Sequence, residues 1–177
     1  MATFNAFTFD HDGKLWFGSY GGWVAMADEN TLQFRAIKLE PQNGNTHADV
    51  RCFFEDINGN MLIGTGSGIY VIDKEGQLTR HYDTRNSGIG EDNVHSISRD
   101  SQGNYWIGTF GQGLSILSPA MKRIKNYHTN NGFCSNAINH ILHVGRGIMA
   151  VATSAGLVVF DNGKATTFTK RDGLVNQ

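Results

Sequence analysis

The chain has 177 residues, enough for one sizeable core, and 15 Lys plus Arg stand against 16 Asp plus Glu for a formal net charge of −1. With no long basic run, nothing in this balance points to a nucleic-acid partner, and no nucleic acid is expected. No apolar run approaches the ~20 residues of a membrane-crossing helix.

The start, Met1-Ala-Thr-Phe-Asn-Ala-Phe7, lacks the basic-then-apolar order of a secretion signal. Read as a whole protein it points to the cytoplasm; read as an excised piece it says nothing about location. Cys52 and Cys134 are isolated, with neither disulfide nor metal spacing, and are expected to be unpaired structural thiols.

In chain order, Phe4–Phe9 is a first strand whose apolar residues do not alternate cleanly, as in a strand packed on both faces. The turn Asp10-His-Asp-Gly13 leads to a second strand, residues 15–18, and a third, Trp23–Met26. Thr31–Leu39 is the fourth. Three further groups of four follow. The second holds Val50–Glu55, Met61–Gly64, Ile69–Ile72 and Gln77–Tyr82. The third holds Val94–Arg99, Tyr105–Gly108, Leu114–Leu117 and Arg123–Tyr127. The fourth holds Ile138–His143, Met149–Ala152, Leu157–Phe160 and Ala165–Thr169. No helix is expected.

The groups are copies of one unit. Asp10-x-x-Gly13-x-x-Trp16-Phe-Gly18-Ser19 returns as Asp56-x-x-Gly59-x-x-Leu62-Ile-Gly64-Thr65 and as Asp100-x-x-Gly103-x-x-Trp106-Ile-Gly108-Thr109. A worn fourth copy reads Val144-x-x-Gly147-x-x-Ala150-Val-Ala152-Thr153. The turn glycines lie 46, 44 and 44 residues apart (59 − 13, 103 − 59, 147 − 103). Short strands at a period in the 40s mark propeller blades. The expected fold is therefore all-β: four consecutive four-stranded antiparallel meanders, at about residues 3–41, 49–83, 93–128 and 137–170, forming a single propeller-type domain or part of a larger propeller. Residues 171–177, with Gly173 matching Gly44, Gly88 and Gly132, lead toward a next blade. No strand exchange between first and last blade is indicated.

Each recurring residue has a structural reading. Asp caps backbone donors at its turn, and Gly at the turn's end accepts positive φ. Trp16 and Trp106 fill the space between blades, with Leu62 and Ala150 in the same place. Gly18, Gly64, Gly108 and Ala152 keep the next position small, and the hydroxyls of Ser19, Thr65, Thr109 and Thr153 suit a turn hydrogen bond.

The pattern Asp-x-x-Gly-x-x-Trp-Ile-Gly-Thr followed by Gly-Leu resembles the two-component regulator propeller repeat. The third unit fits best, through Val94, Ile97, Asp100, Gly103, Trp106, Ile107, Gly108, Thr109, Gly113 and Leu114. The second departs at Leu62, the first at Phe17 and Ser19, the fourth at Val144 and Ala150. The resemblance implies a portion of the periplasmic sensor region of a membrane-anchored hybrid histidine kinase of Bacteroides type. Such regions respond to oligosaccharides and carry no catalytic part.

Sugars bind exposed aromatic rings and carboxylates on loops at blade ends. The candidates are Tyr20, Trp23, Asn45, His47, Glu91, Asp92, Phe110 and Gln112. Phe110 and Gln112 lie in the loop that is one residue longer than its counterpart at Gly66-Ser67-Gly68. Trp23 also reads as a packing residue between blades, and Asp92 as a backbone acceptor at a strand start. No catalytic set, metal or cofactor is expected: Asp10, Asp56 and Asp100 explain themselves as turn residues, and Asp10-His-Asp-Gly13 lacks the alternating oxygen ligands of a calcium loop. Two alternatives stand beside the sensor. One is a small propeller lyase with acid/base histidines among His47, His95, His140 and His143. The other is an interaction scaffold that self-associates through open blade faces or packs against missing blades of a longer parent.

Overall fold

The computed structural model of the chain describes residues 3–28, 31, 33–41, 44 and 47–174. Over the described residues it is all-β, with sixteen strands in four antiparallel four-stranded meanders. The first is β1 (Phe4–Phe9), β2 (Leu15–Ser19), β3 (Trp23–Ala27) and β4 (Phe34–Lys38). The second is β5 (Val50–Glu55), β6 (Met61–Thr65), β7 (Gly68–Ile72) and β8 (Leu78–Tyr82). The third comprises β9 (Val94–Arg99), β10 (Tyr105–Thr109), β11 (Leu114–Leu117) and β12 (Arg123–Tyr127). The fourth comprises β13 (Ile138–Gly145), β14 (Ile148–Thr153), β15 (Gly156–Asp161) and β16 (Lys164–Phe168).

The chain divides into two compact units. Unit one, Met1–Arg85 with Asp92–Val94, holds the first two sheets. Unit two, Asn86–Glu91 with His95–Gln177, holds the last two apart from Val94 at the start of β9.

In unit one, Trp16, Val24 and Met26 of the first sheet pack on Ile63, Tyr70 and Ile72 of the second. Trp16 lies 6.4 Å from Phe53, centroid to centroid. In unit two, Trp106 and Ile116 pack on Met149, Val151 and Phe160, and the Trp106 and Phe160 rings meet edge to face at 4.9 Å. The middle strands β6 and β10 are buried along their whole length.

Alternation along the strands explains the two faces. Cross-strand neighbours Trp16 and Met26 share one face of their sheet, while Phe17 and Ala25 share the other. The expectation that β1 is packed on both faces is not met. Phe4, Phe7 and Phe9 are 52%, 76% and 60% exposed. They lie with Phe17 and Phe34 on the face turned away from the second sheet, and no other sheet of unit one covers it.

Other differences lie at turns. β4 is shorter than expected, and Leu32 lies outside the described residues. β13 runs on to Gly145 because Val144 offers no carboxylate to hold a four-residue turn. The hairpin instead closes tightly through Arg146 and Gly147, both at positive φ (53° and 78°). Single 3-10 turns occupy Thr129–Asn131 and Lys170–Asp172 where no helix was expected. Each is held by a side chain reaching back: the His128 N–H donates to Asn131 Oδ1 at 2.9 Å, and the Thr169 N–H donates to Asp172 Oδ2 at 2.8 Å.

The repeated Asp does more than cap. Asp100 Oδ1 accepts the backbone N–H groups of Gln102 (3.0 Å) and Asn104 (2.8 Å), while Oδ2 accepts the Asn104 amide (3.0 Å) and the Trp106 indole N–H (2.9 Å). Asp10 takes the Trp16 indole in the same way at 2.8 Å. Asp56, whose sheet carries Leu62 instead, takes the Asn60 amide at 2.9 Å. The fourth copy lacks both members, Val144 standing for Asp and Ala150 for Trp. A buried indole N–H needs an acceptor, so each of the two Trp copies keeps its Asp, whereas Asp56 finds its donors within the turn and persists beside Leu62.

Candidate functional site

The β2–β3 type loop of each sheet hangs from the hydroxyl that ends the second strand. Thr65 Oγ1 donates to Gly68 O (2.9 Å) and accepts from Ser67 N–H (2.9 Å). Thr153 Oγ1 does the same with Gly156 O (2.9 Å) and Ala155 N–H (3.1 Å). Thr109 Oγ1 donates to Gly113 O (3.0 Å) and accepts from Gln112 N–H (3.2 Å), so its loop closes the same ring around one more residue. Gly113 has φ of 74°, and a Cβ there would lie 2.1 Å from Tyr127 O, which makes a side chain impossible without moving β12. The longer loop leaves Phe110 in solvent, 52% exposed.

One ring face of Phe110 stacks on His95 of β9, with centroids 5.0 Å apart and planes at 22°. Beside it, the Gln112 N–H donates to Glu91 Oε2 at 3.2 Å. The Glu91 carboxylate also lies against Gly111, where a Cβ would fall 2.8 Å from Oε1. The segment bearing Glu91 is firmly held. Arg123 Nε donates to Gly88 O (2.7 Å), its Nη2 donates to Ile89 O (3.0 Å), and the Gly90 N–H donates to Ser115 Oγ (3.1 Å). Ile89 is buried beneath. Unit two thus presents an aromatic ring, a carboxylate and an exposed amide from rigidly anchored loops, a combination suited to stacking on and hydrogen bonding to a polar ring ligand.

Three of the eight candidates, Glu91, Phe110 and Gln112, therefore meet. Tyr20 and Trp23 lie together on the Ser19–Trp23 loop of unit one, 50% and 44% exposed. Trp23, which also reads as a packing residue between blades, is part-exposed on the open face of the first sheet, with Lys38 Nζ 5.4 Å from its ring centroid. Lys38 also donates to Gly21 O, and the Gly21 N–H donates to Asp49 Oδ1 at 2.6 Å. His47 is exposed on the segment before β5. Asp92 belongs to unit one, where Oδ1 accepts the Thr84 N–H (2.8 Å) and its carbonyl accepts the Gly68 N–H (2.7 Å). Asn45 lies outside the described residues.

Sequence reasoning missed the supports of this site, Arg123, Ser115 and the His95 ring. A strand residue that touches a loop across the sheet carries no local signal of doing so.

Of the histidines weighed for acid/base work, His140 is exposed on β13 and His95 serves as the ring under Phe110. Among the described residues, no three His, Cys, Asp or Glu side chains gather where they could hold a metal. Cys52 and Cys134 are half-buried, Cys134 Sγ lying 3.5 Å from Thr153 Oγ1.

The family model of the two component regulator propeller matches residues 88–111, the stretch from the segment bearing Glu91 to Phe110. Histidine kinase P4 of Formosa agariphila is 24% identical over 180 residues, 73% of this chain but 13% of that protein. Among solved structures, the extracellular domain of BT3049 from B. thetaiotaomicron, described as a hybrid two component system, is 38% identical with a TM-score of 0.87. The match covers 98% of this chain and 24% of that one. Virginiamycin B lyase from Staphylococcus aureus shares the fold at a TM-score of 0.72, covering 94% of this chain and 55% of the lyase, and at 14% identity the likeness is one of fold alone. The chain spans about a quarter or less of the kinase and of the BT3049 domain. With its four repeated meanders and the matched repeat at residues 88–111, the chain has a propeller-blade architecture, carries a two component regulator propeller repeat and resembles the extracellular domains of hybrid two-component systems.

Proposed function

We propose that the chain is a non-catalytic segment of the periplasmic or extracytoplasmic sensor of a membrane-anchored hybrid histidine kinase, and that it binds an oligosaccharide at Glu91, Phe110 and Gln112. The observation that carries the sensor reading is the 38% identity and TM-score of 0.87 to the BT3049 extracellular domain over nearly the whole chain. The ligand reading is supported by the exposed Phe110 ring beside the Glu91 carboxylate, since a sugar's C–H face stacks on a ring while its hydroxyls donate to a carboxylate.

Calorimetry against a panel of oligosaccharides tests it. A binder is expected whose affinity falls about tenfold in Phe110→Ala, the ~1.4 kcal/mol of a central aromatic contact, and falls again in Glu91→Gln. Undiminished binding in both variants, with melting temperatures unchanged, sinks the assignment of the site.

The exposed phenylalanine face of the first sheet supports a second part of the reading. Phe4, Phe7, Phe9 and Phe34 are 52–76% exposed on one face, and a cluster of exposed aromatic rings marks an interaction surface. This face is covered by another blade of the parent or by a second copy of the chain. Light scattering of the chain by itself is expected to give a mass above the monomer's, reduced to the monomer's by Phe7→Glu with Phe34→Glu; a wild-type monomer at every concentration counts against self-association.

A further inference from the structure

In unit one the groove between the two sheets is bridged near the β1–β2 turn. Arg35 Nη1 donates to Glu75 O at 2.9 Å, and Lys14 Nζ donates to Lys74 O at 3.4 Å. Glu55 holds both the backbone N–H of His11, at 2.8 Å, and its ring. That hydrogen bond, with the charges of Asp12 and Glu55, raises the His11 pKa above its ordinary value.

The corresponding positions in unit two hold Lys125 for Arg35, Asn104 for Lys14, and Ser101 with His143 for His11 with Glu55. The registers fix the correspondence: Met26 pairs with Arg35 as Ile116 pairs with Lys125, and Glu55 pairs with Met61 as His143 pairs with Met149. Among the described residues none of the three bridges is repeated. Asn104 turns its amide back to Asp100 and Gln102. Lys125 Nζ rests 4.6 Å from the Tyr127 ring centroid and makes no ion pair among the described residues. The hairpin that faces them is also shorter. Ile72 pairs with Leu78, six residues on (78 − 72), whereas Phe160 pairs with Ala165, five on (165 − 160).

The groove of unit two therefore stays open, as a cavity of about 300 Å³ walled by Trp106, Ile116, Tyr127, Met149 and Phe160 with Lys125 at its rim. Asp100 also borders it, but four N–H donors already meet that carboxylate. His143, cross-strand neighbour of Met149, has a buried Nε2 with no hydrogen-bond partner.

We propose that this groove is a second ligand site, distinct from the Phe110 loop, and that it takes a small organic anion with a flat apolar body, an arylalkyl carboxylate. The ring lies among Trp106, Met149 and Phe160, and the carboxylate meets the Lys125 ammonium, the one cation on the cavity wall among the described residues. The volume stands at the lower end for small-molecule sites, and an aromatic floor with one ammonium at the rim, where the Asp100 carboxylate is already met by its donors, favours a ligand of opposite charge to Lys125. The inference does not depend on the sensor reading.

Titration of the whole chain, carrying carbon-13 methyl methionine, with 3-phenylpropionate tests it. The Met149 methyl is expected to shift saturably with a dissociation constant of about 1 mM, as befits so small a ligand. The methyl of Met61, its counterpart in the bridged groove, stays in place. Lys125→Ala, an exposed position, and the neutral 3-phenylpropanol are each expected to weaken binding about fivefold or more. No saturable Met149 shift up to about 10 mM, equal movement of Met61, or equal binding of acid and alcohol overturns the proposal.

Discussion

Trp106→Ala is expected to lower the stability of unit two by about 3–5 kcal/mol, the range for removing a buried indole from a packed core. Trp106 is 6% exposed and touches Phe160 edge to face. Its loss empties the middle of the contact between the third and fourth sheets and also strips Asp100 of a donor. Trp106→Phe separates the two effects. The ring volume is largely kept, and the expected cost falls to about 1–2 kcal/mol, that of one charge-assisted hydrogen bond.

The phenylalanine variant also has a signature in pH. Burial pushes the Asp100 carboxyl up, but the Trp106 indole, the Asn104 side chain and the backbone N–H groups of Asn104 and Gln102 outweigh it and hold the pKa below its ordinary value. A depressed carboxylate contributes stability that is present above its unfolded pKa and is lost as the pH falls through the folded one. Trp106→Phe should shrink that acid-side loss, because the folded pKa rises toward the unfolded value. Urea unfolding of both proteins at about pH 7 and about pH 3 reads this directly. Equal acid sensitivity of the two sets aside the role given to the indole.

Gly108→Ala is expected to cost about 1–3 kcal/mol although it adds only one methyl group. A Cβ at residue 108 would lie 2.5 Å from Ile138 Cγ2 and 3.2 Å from Ile141 Cδ1, both on the first strand of the next sheet. The same geometry recurs where Gly18 faces Val50 Cγ1 at 2.1 Å and Gly64 faces Val94 Cγ1 at 2.9 Å. The small residue therefore makes room for a neighbour's branched side chain, and φ does not demand it at these three positions. In a double-mutant cycle by chemical denaturation, Ile138→Ala should cost less in the Gly108→Ala background than in the wild type. Strict additivity would mean that the contact is not what requires glycine.

The turn Asp, the Trp six residues on and the small residue two beyond are local in sequence and recur, so repetition exposed them, and with them the propeller architecture. Repetition alone did not disclose that the Asp accepts the Trp indole, although the spacing and the joint loss at Val144 and Ala150 contained that information.

The candidate site was legible in part. An extra residue in the loop marked Phe110 and Gln112, and the segment before β9 marked Glu91. Their meeting depends on Arg123 and Ser115, held by strands far along the chain. For Trp23 the sequence leaves two readings open, because an aromatic residue at a strand start looks the same whether its face is covered or open.

Sequence by itself settled which residues every blade shares, since hydrogen bonding within a turn and alternation along a strand act over a few residues. Only the tertiary structure decided which faces are covered, which loop presents its ring to solvent, and which groove stays open. Those outcomes depend on side chains some 40 residues apart meeting or failing to meet, as Arg35 reaches Glu75 while Lys125 reaches no such partner across its own groove.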